Sequence, residues 1–136
     1  MTQDALSLDH LAPVPSVEQY KTALQHVQFT YNQKRMLQFQ YQSQDYAATA
    51  RELADHVRYA GWQGANLQYG LLGTKLREAL GYWEEQEQRS YVLSYFIIPD
   101  RANQEEWVFV LHPAVVQALQ ELNWFHKPAS IKPELR

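Results

Sequence analysis

Four of the five glycines in this chain, Gly61, Gly64, Gly70 and Gly73, fall within eighteen residues, YAGWQGANLQYGLLGTKL, at positions 59–76. A glycine inside a helix costs about 1 kcal/mol relative to alanine, yet helical patterns lie on both sides of this cluster. Before it, Thr49 and Glu52 have capping-box spacing, and Leu53, Ala54 and Val57 give a short amphipathic helix over 49–58. The stretch AGWQG is a tight turn. After it, Ala65, Tyr69, Leu72, Leu76 and Ala79 recur at steps of 4, 3, 4 and 3, which places one apolar face on a helix over 65–80, with Gly81 as its C-cap. A short helix, a glycine-containing turn and a longer helix form the helix-turn-helix signature.

The flanking segments extend this unit. Ser16 with Gln19 and Thr30 with Gln33 repeat the capping spacing. Val17, Tyr20, Leu24 and Val27, then Tyr31, Met36, Leu37 and Tyr41, supply apolar faces for two helices, or one bent helix, over 16–42. Downstream, YVLSYFII (91–98) and EWVFVL (106–111) are rich in β-branched and aromatic residues and predict a hairpin with a long loop. Pro113 stands at a first helical position, and Val115, Val116, Leu119 and Leu122 predict a last helix over 113–123. The expected fold is α+β, mostly α: a single winged helix-turn-helix-like domain over 16–124 with one β-hairpin. Residues 1–15 are expected to be a flexible leader, 84–88 (EEQEQ) a solvated connector and 125–136 a flexible tail. The sixteen glutamines are dispersed and predict solvated surface.

Composition narrows the function classes. There is no cysteine, so disulfides, thiolate chemistry and cysteine-based zinc sites are excluded. No run of about 18 apolar residues predicts a transmembrane helix, and the N-terminus lacks the basic and apolar regions of a signal peptide, so a cytoplasmic protein without a membrane partner is expected. The five histidines, His10, His26, His56, His112 and His126, have no metal-ligand spacing. No nucleophile elbow, phosphate loop or dinucleotide fingerprint is present. Glu84, Glu85 and Glu87, like Glu105 and Glu106, form solvated charge runs. No metal, no cofactor and no enzymatic activity are expected. The net charge of −3 and pI near 5.9 oppose a strong nonspecific grip on nucleic acid, which shows as a pI above ~9.

The glycines point to a contact surface or to packing. On a helical wheel Asn66, Gly70, Gly73 and Arg77 share one stripe beside the apolar face. In one reading the glycines leave a gap for a phosphate backbone or another protein element, with Asn66 and Arg77 as flanking polar contacts. In the other, Gly73 admits helix 49–58 and Gly70 marks a kink. Trp62, Tyr69, Trp83, Trp107 and Trp124 suit core packing better than a base-stacking platform, except Trp62, whose place in the turn fits a packed staple or an exposed contact.

The run from Thr49 to Gly81 carries a family pattern: a Thr-Ala helix start (Thr49, Ala50), a Leu-Ala pair (Leu53, Ala54), an aromatic turn, then Asn66, Tyr69-Gly70, Leu72-Gly73 and Ala79-Leu80-Gly81. With Trp107, His112-Pro113 and the ALQELNW ending, residues 31–124 resemble a helix-turn-helix-like domain found beside HNH-type endonuclease modules in bacterial restriction-like proteins, and also as standalone small proteins. One departure is Arg58, where the family pattern carries glycine; it adds a cation beside the turn. The grouped His and Asn residues of the nuclease module are absent. The resemblance implies a DNA-associated accessory domain without catalysis of its own, a regulator or a restriction and defence accessory.

The expected nucleic-acid-binding residues are Arg58, Trp62, Gln63, Asn66, Gly70, Gly73, Thr74 and Arg77. Residues 49–82 hold Arg51, Arg58, Lys75 and Arg77 against Glu52, Asp55 and Glu78, and in the hairpin loop Arg101 is surrounded by Asp100, Glu105 and Glu106. This is thin charge for groove insertion. A protein-interaction module on the same scaffold, with Leu67, Gly70 and Leu71 as a shallow apolar groove, is the alternative partner class. A self-associated dimer is compatible with either.

Overall fold

The computed structural model describes residues 15–81, 92–97 and 107–126. The expected connector at 84–88, the hairpin loop with Arg101, Trp83, and the outer parts of the leader and tail lie outside the described residues. Five α-helices and three strands are described: α1 (Val17–His26), α2 (Tyr31–Gln42), β1 (Ala47–Thr49), α3 (Ala50–Val57), α4 (Trp62–Leu80), β2 (Ser94–Ile97), β3 (Val108–Leu111) and α5 (Pro113–Leu122). The fold is α+β and mostly helical, as the pattern predicts.

All three capping boxes form. The hydroxyls of Ser16, Thr30 and Thr49 accept from the backbone N–H of Gln19, Gln33 and Glu52 at 3.1, 3.1 and 3.0 Å, and each of those side chains accepts in return from its cap residue. Two otherwise unpaired donors are satisfied at each helix start, which is why these helices begin where they do. Helix α3 closes with the Tyr59 N–H on the Ala54 carbonyl (2.8 Å) and the Arg58 N–H on that of Asp55 (3.2 Å), while Arg58 adopts φ +66°. That is the Schellman arrangement, whose left-handed residue is ordinarily glycine. Gly81 ends α4 in the same region, at φ +83°.

Helix α4 starts at Trp62, three residues earlier than the turn reading predicts, because Gly61 takes the N-cap position and Trp62 packs partly against the core. The sheet has three strands in the order β1-β3-β2, all antiparallel, with Ala48 opposite Phe109 and Tyr95 opposite Val110. The lone hairpin of the sequence reading thus gains β1 on its β3 edge. Leu37, Leu53, Tyr69, Leu72, Leu76, Phe109 and Leu119 fill the core between the helices and the sheet. Tyr31, expected on the apolar face of α2, is 78% exposed instead. Pro15 and Phe125, assigned to leader and tail by the sequence, are buried, and the His126 carbonyl accepts from Gln42 Nε2 at 2.7 Å.

Two glutamines overturn the surface reading. Gln40 is fully buried, and its amide nitrogen donates to the Phe109 carbonyl (2.9 Å), the Tyr46 carbonyl (3.3 Å) and Ser94 Oγ (3.2 Å). Its amide oxygen accepts from the Tyr69 hydroxyl, which also lies 2.6 Å from Ser94 Oγ. The Tyr69 ring stacks on Phe109 at 4.5 Å. This network ties α2, α4 and the sheet together through satisfied polar groups. Gln33, also buried, donates from Nε2 to Gln68 (3.3 Å) and accepts at Oε1 from Lys75 Nζ (2.8 Å), which reaches the Gln28 carbonyl as well (2.8 Å). The amine therefore fastens α4 to the α1–α2 connection.

Candidate nucleic-acid interface

The turn between α3 and α4 is short because the left-handed Arg58 reverses the chain at once. Tyr59 then folds inward beside α4, where a Cβ added at Gly64 would stand 3.4 Å from its ring. The side chain of Arg58 is left exposed at the corner, next to the first turn of α4.

Of the eight residues expected to contact nucleic acid, only Arg58 and Gln63 are exposed. Trp62, Asn66, Thr74 and Arg77 are half-buried, and the Thr74 hydroxyl donates back to the Gly70 carbonyl at 3.2 Å. Gly70 and Gly73 are buried, so the gap expected to admit a phosphate backbone is already covered within the chain. The stripe is corrected to a packing margin at its centre, and Arg77 Nη1 is buried there without a hydrogen-bond partner among the described residues. Tyr69 is fully buried, which fits core packing rather than a base-stacking platform, and Trp62, Trp107 and Trp124 pack partly against the core.

The solvent face of α4 carries Gln63, Gly64, Leu67, Leu71, Thr74 and Glu78. Leu67 is 52% exposed, Leu71 is half-buried, and no cation lies among them. Lys75, on the flank, is held by the Gln28 carbonyl and by Gln33.

The corner also includes residues that the motif analysis passed over. Arg35 of α2 donates from Nη2 to the His56 carbonyl at 2.9 Å, and its guanidinium lies 5.4 Å from the centre of the Tyr31 ring. Asn32 Nδ2 donates to the Tyr59 hydroxyl at 3.4 Å. Burial first, and the Arg35 charge second, lower the pKa of His56, whose ring stacks on Phe39 at 4.6 Å. The signal available in the sequence was charge: no acidic residue occurs from Gln19 to Gln44, a stretch that contains Lys21, Lys34 and Arg35.

Among the described residues no group of three or more His, Asp or Glu side chains is placed to hold a metal ion, and no helix is long and apolar enough to cross a membrane. No family model, curated protein or solved structure matches this chain.

Proposed function

We propose that this protein is a DNA-associated, winged-helix-type binding module without catalytic activity of its own, and that it meets DNA with the α3–α4 turn and the first turns of α4. The order α2, β1, α3, turn, α4, β2, β3, with the sheet arranged β1-β3-β2, supports the winged-helix part of this reading. In such an arrangement the second helix of the pair is the one offered to a major groove. The likeness of residues 31–124 to a domain found beside nuclease modules points the same way.

The observation that carries the reading is Arg58. It occupies a left-handed position at φ +66°, where a non-glycine residue costs about 1 kcal/mol or more, and its cation stands exposed beside α4. A backbone position that favours glycine, held by a cation, marks a residue kept for its side chain rather than its conformation. A phosphate contact is the fitting role.

The test is Arg58→Gly. Chemical denaturation should show a gain of up to about 1 kcal/mol as the left-handed strain is relieved. Fluorescence anisotropy on a random duplex should show weaker binding and a salt slope shallower by about 0.9. Unaltered duplex binding by this variant, or wild-type protein that binds duplex without salt dependence, overturns the reading. Half-exposed Leu67 beside Leu71, on a face without cations, favours a second reading: a protein-interaction module on the same scaffold. It predicts that Leu67→Ser leaves duplex binding unchanged and abolishes association with a protein partner.

A further inference from the structure

We infer that the N-terminal half of α2 is a second contact surface on the same corner, and that Arg35 and Tyr31 hold the phosphate strand flanking the groove offered to α4. This rests on the DNA reading above and goes beyond it, because neither residue belongs to the helix-turn-helix unit.

Continuity is the first argument. Arg35 is bonded to the carbonyl of His56, two residues before Arg58; Asn32 is bonded to Tyr59 in the turn; and Tyr59 lies against Gly64 in the first turn of α4. The three helices therefore present one surface that runs from Tyr31 through Arg58 to Gln63.

Charge is the second argument. Neither Arg35 nor Arg58 forms an ion pair with a carboxylate among the described residues, where the ion pairs are those of Lys21 with Glu18 and Glu121. Helix α2 has no acidic residue at all. Arg35 and Arg58 stand together at this corner, with exposed Asp55 one turn before Arg58, in a chain whose net charge is −3. It is such placement, not net charge, that draws a polyanion to one face.

Chemistry is the third argument. One Arg35 nitrogen is fixed by the His56 carbonyl, so the planar guanidinium is oriented before any ligand arrives and little side-chain entropy remains to be lost. The donors not bonded to that carbonyl suit the paired oxygens of a phosphate. Tyr31 is 78% exposed, the most exposed large hydrophobic residue among those described, and its ring lies beneath the guanidinium. A phenol in that position offers a hydroxyl donor beside the cation, and tyrosine hydroxyls are ordinary phosphate ligands.

The experiment measures binding of a random 20–25 base-pair duplex by anisotropy over a salt series, at pH 8, so that His56 stays neutral in every variant. Arg35→Gln should weaken binding several-fold and make the slope of log K against log salt shallower by about 0.9. Tyr31→Phe should weaken binding with the slope unchanged, because a neutral donor is lost and no counterion is involved. Lys34→Gln, on the same helix but with its amine over the Trp124 ring, should change the slope by less than half as much. Tyr31 is exposed, so its variant keeps the test alive should Arg35→Gln fail to fold. Wild-type binding by both variants while Arg58→Gly is impaired overturns this inference and leaves the DNA reading standing. Competition by polyglutamate at concentrations that match the duplex also overturns it, by showing an anionic peptide surface. Absence of salt-dependent duplex binding by the wild-type protein defeats both together.

Discussion

Removing a single oxygen from Tyr69 isolates the polar network that joins α2, α4 and the sheet. The phenol is fully buried, donates to Gln40 Oε1 and lies 2.6 Å from Ser94 Oγ. Burial raises its pKa well above the usual tyrosine range, against the opposing hydrogen bonds to Ser94 and Gln40, so the group remains a donor. Tyr69→Phe keeps the ring that stacks on Phe109 at 4.5 Å, and therefore opens no side-chain-sized cavity. It leaves the amide oxygen of Gln40 buried without its donor, while the amide nitrogen still serves the carbonyls of Phe109 and Tyr46. A buried acceptor left unmade costs about 1–3 kcal/mol, and that is the expected loss. Ser94→Ala removes a partner whose neighbours retain each other, so it should cost about 0.5–1.5 kcal/mol. The double variant should lose less than the sum, because both changes break one network. Urea denaturation followed by circular dichroism, with an unchanged m-value, measures all three. A Tyr69→Phe protein within about 0.5 kcal/mol of wild type, or one less destabilised than Ser94→Ala, refutes the argument.

Three further outcomes are expected. Gly64→Ala should stabilise by up to about 1 kcal/mol, since the atoms nearest the new methyl are those of Tyr59, no closer than 3.4 Å, on an exposed turn, whereas Gly73→Ala should destabilise by about 1–3 kcal/mol through overpacking of a buried position; thermal or urea unfolding of the pair should show opposite signs. Lys75→Met should cost about 1–3 kcal/mol by removing the charged donor to Gln28 and Gln33, read by the same denaturation. His56 should titrate below 6.5 in a proton NMR titration, and Arg35→Gln should restore part of the shift, since burial remains. Because the folded pKa is the lower one, this group's contribution is present above pH 6.5 and is lost as the pH falls through the folded value; titration at or above 6.5 contradicts the environment described.

Local chemistry was legible in the chain. Ser16, Thr30 and Thr49, each followed by Gln or Glu at the third position, specify helix starts because the reciprocal hydrogen bonds involve only residues three apart. Gly81 ends α4 for an equally local reason, its freedom at positive φ. Of the candidate site, Arg58 and Gln63 were legible as exposed polar residues at a turn. The remaining features required distant partners. Ala47–Thr49 is a strand only because β3 lies beside it, since two alanines disfavour a strand and one threonine is too short a signal to specify it. Glutamine is a polar residue by composition, and nothing within a few positions of Gln40 announces Tyr69, Ser94 and the Phe109 carbonyl, which lie 29, 54 and 69 residues away. Gly70 and Gly73 offered the same backbone to either occupant, and the tertiary fold buried them. Tyr31 and Arg35 reached the candidate surface by the converse route, because α2 turned Met36 and Leu37 inward and left the opposite side of the helix to solvent. Caps and turns are decided by neighbours in sequence, whereas burial is decided by which elements meet, and only the assembled chain brings those elements together.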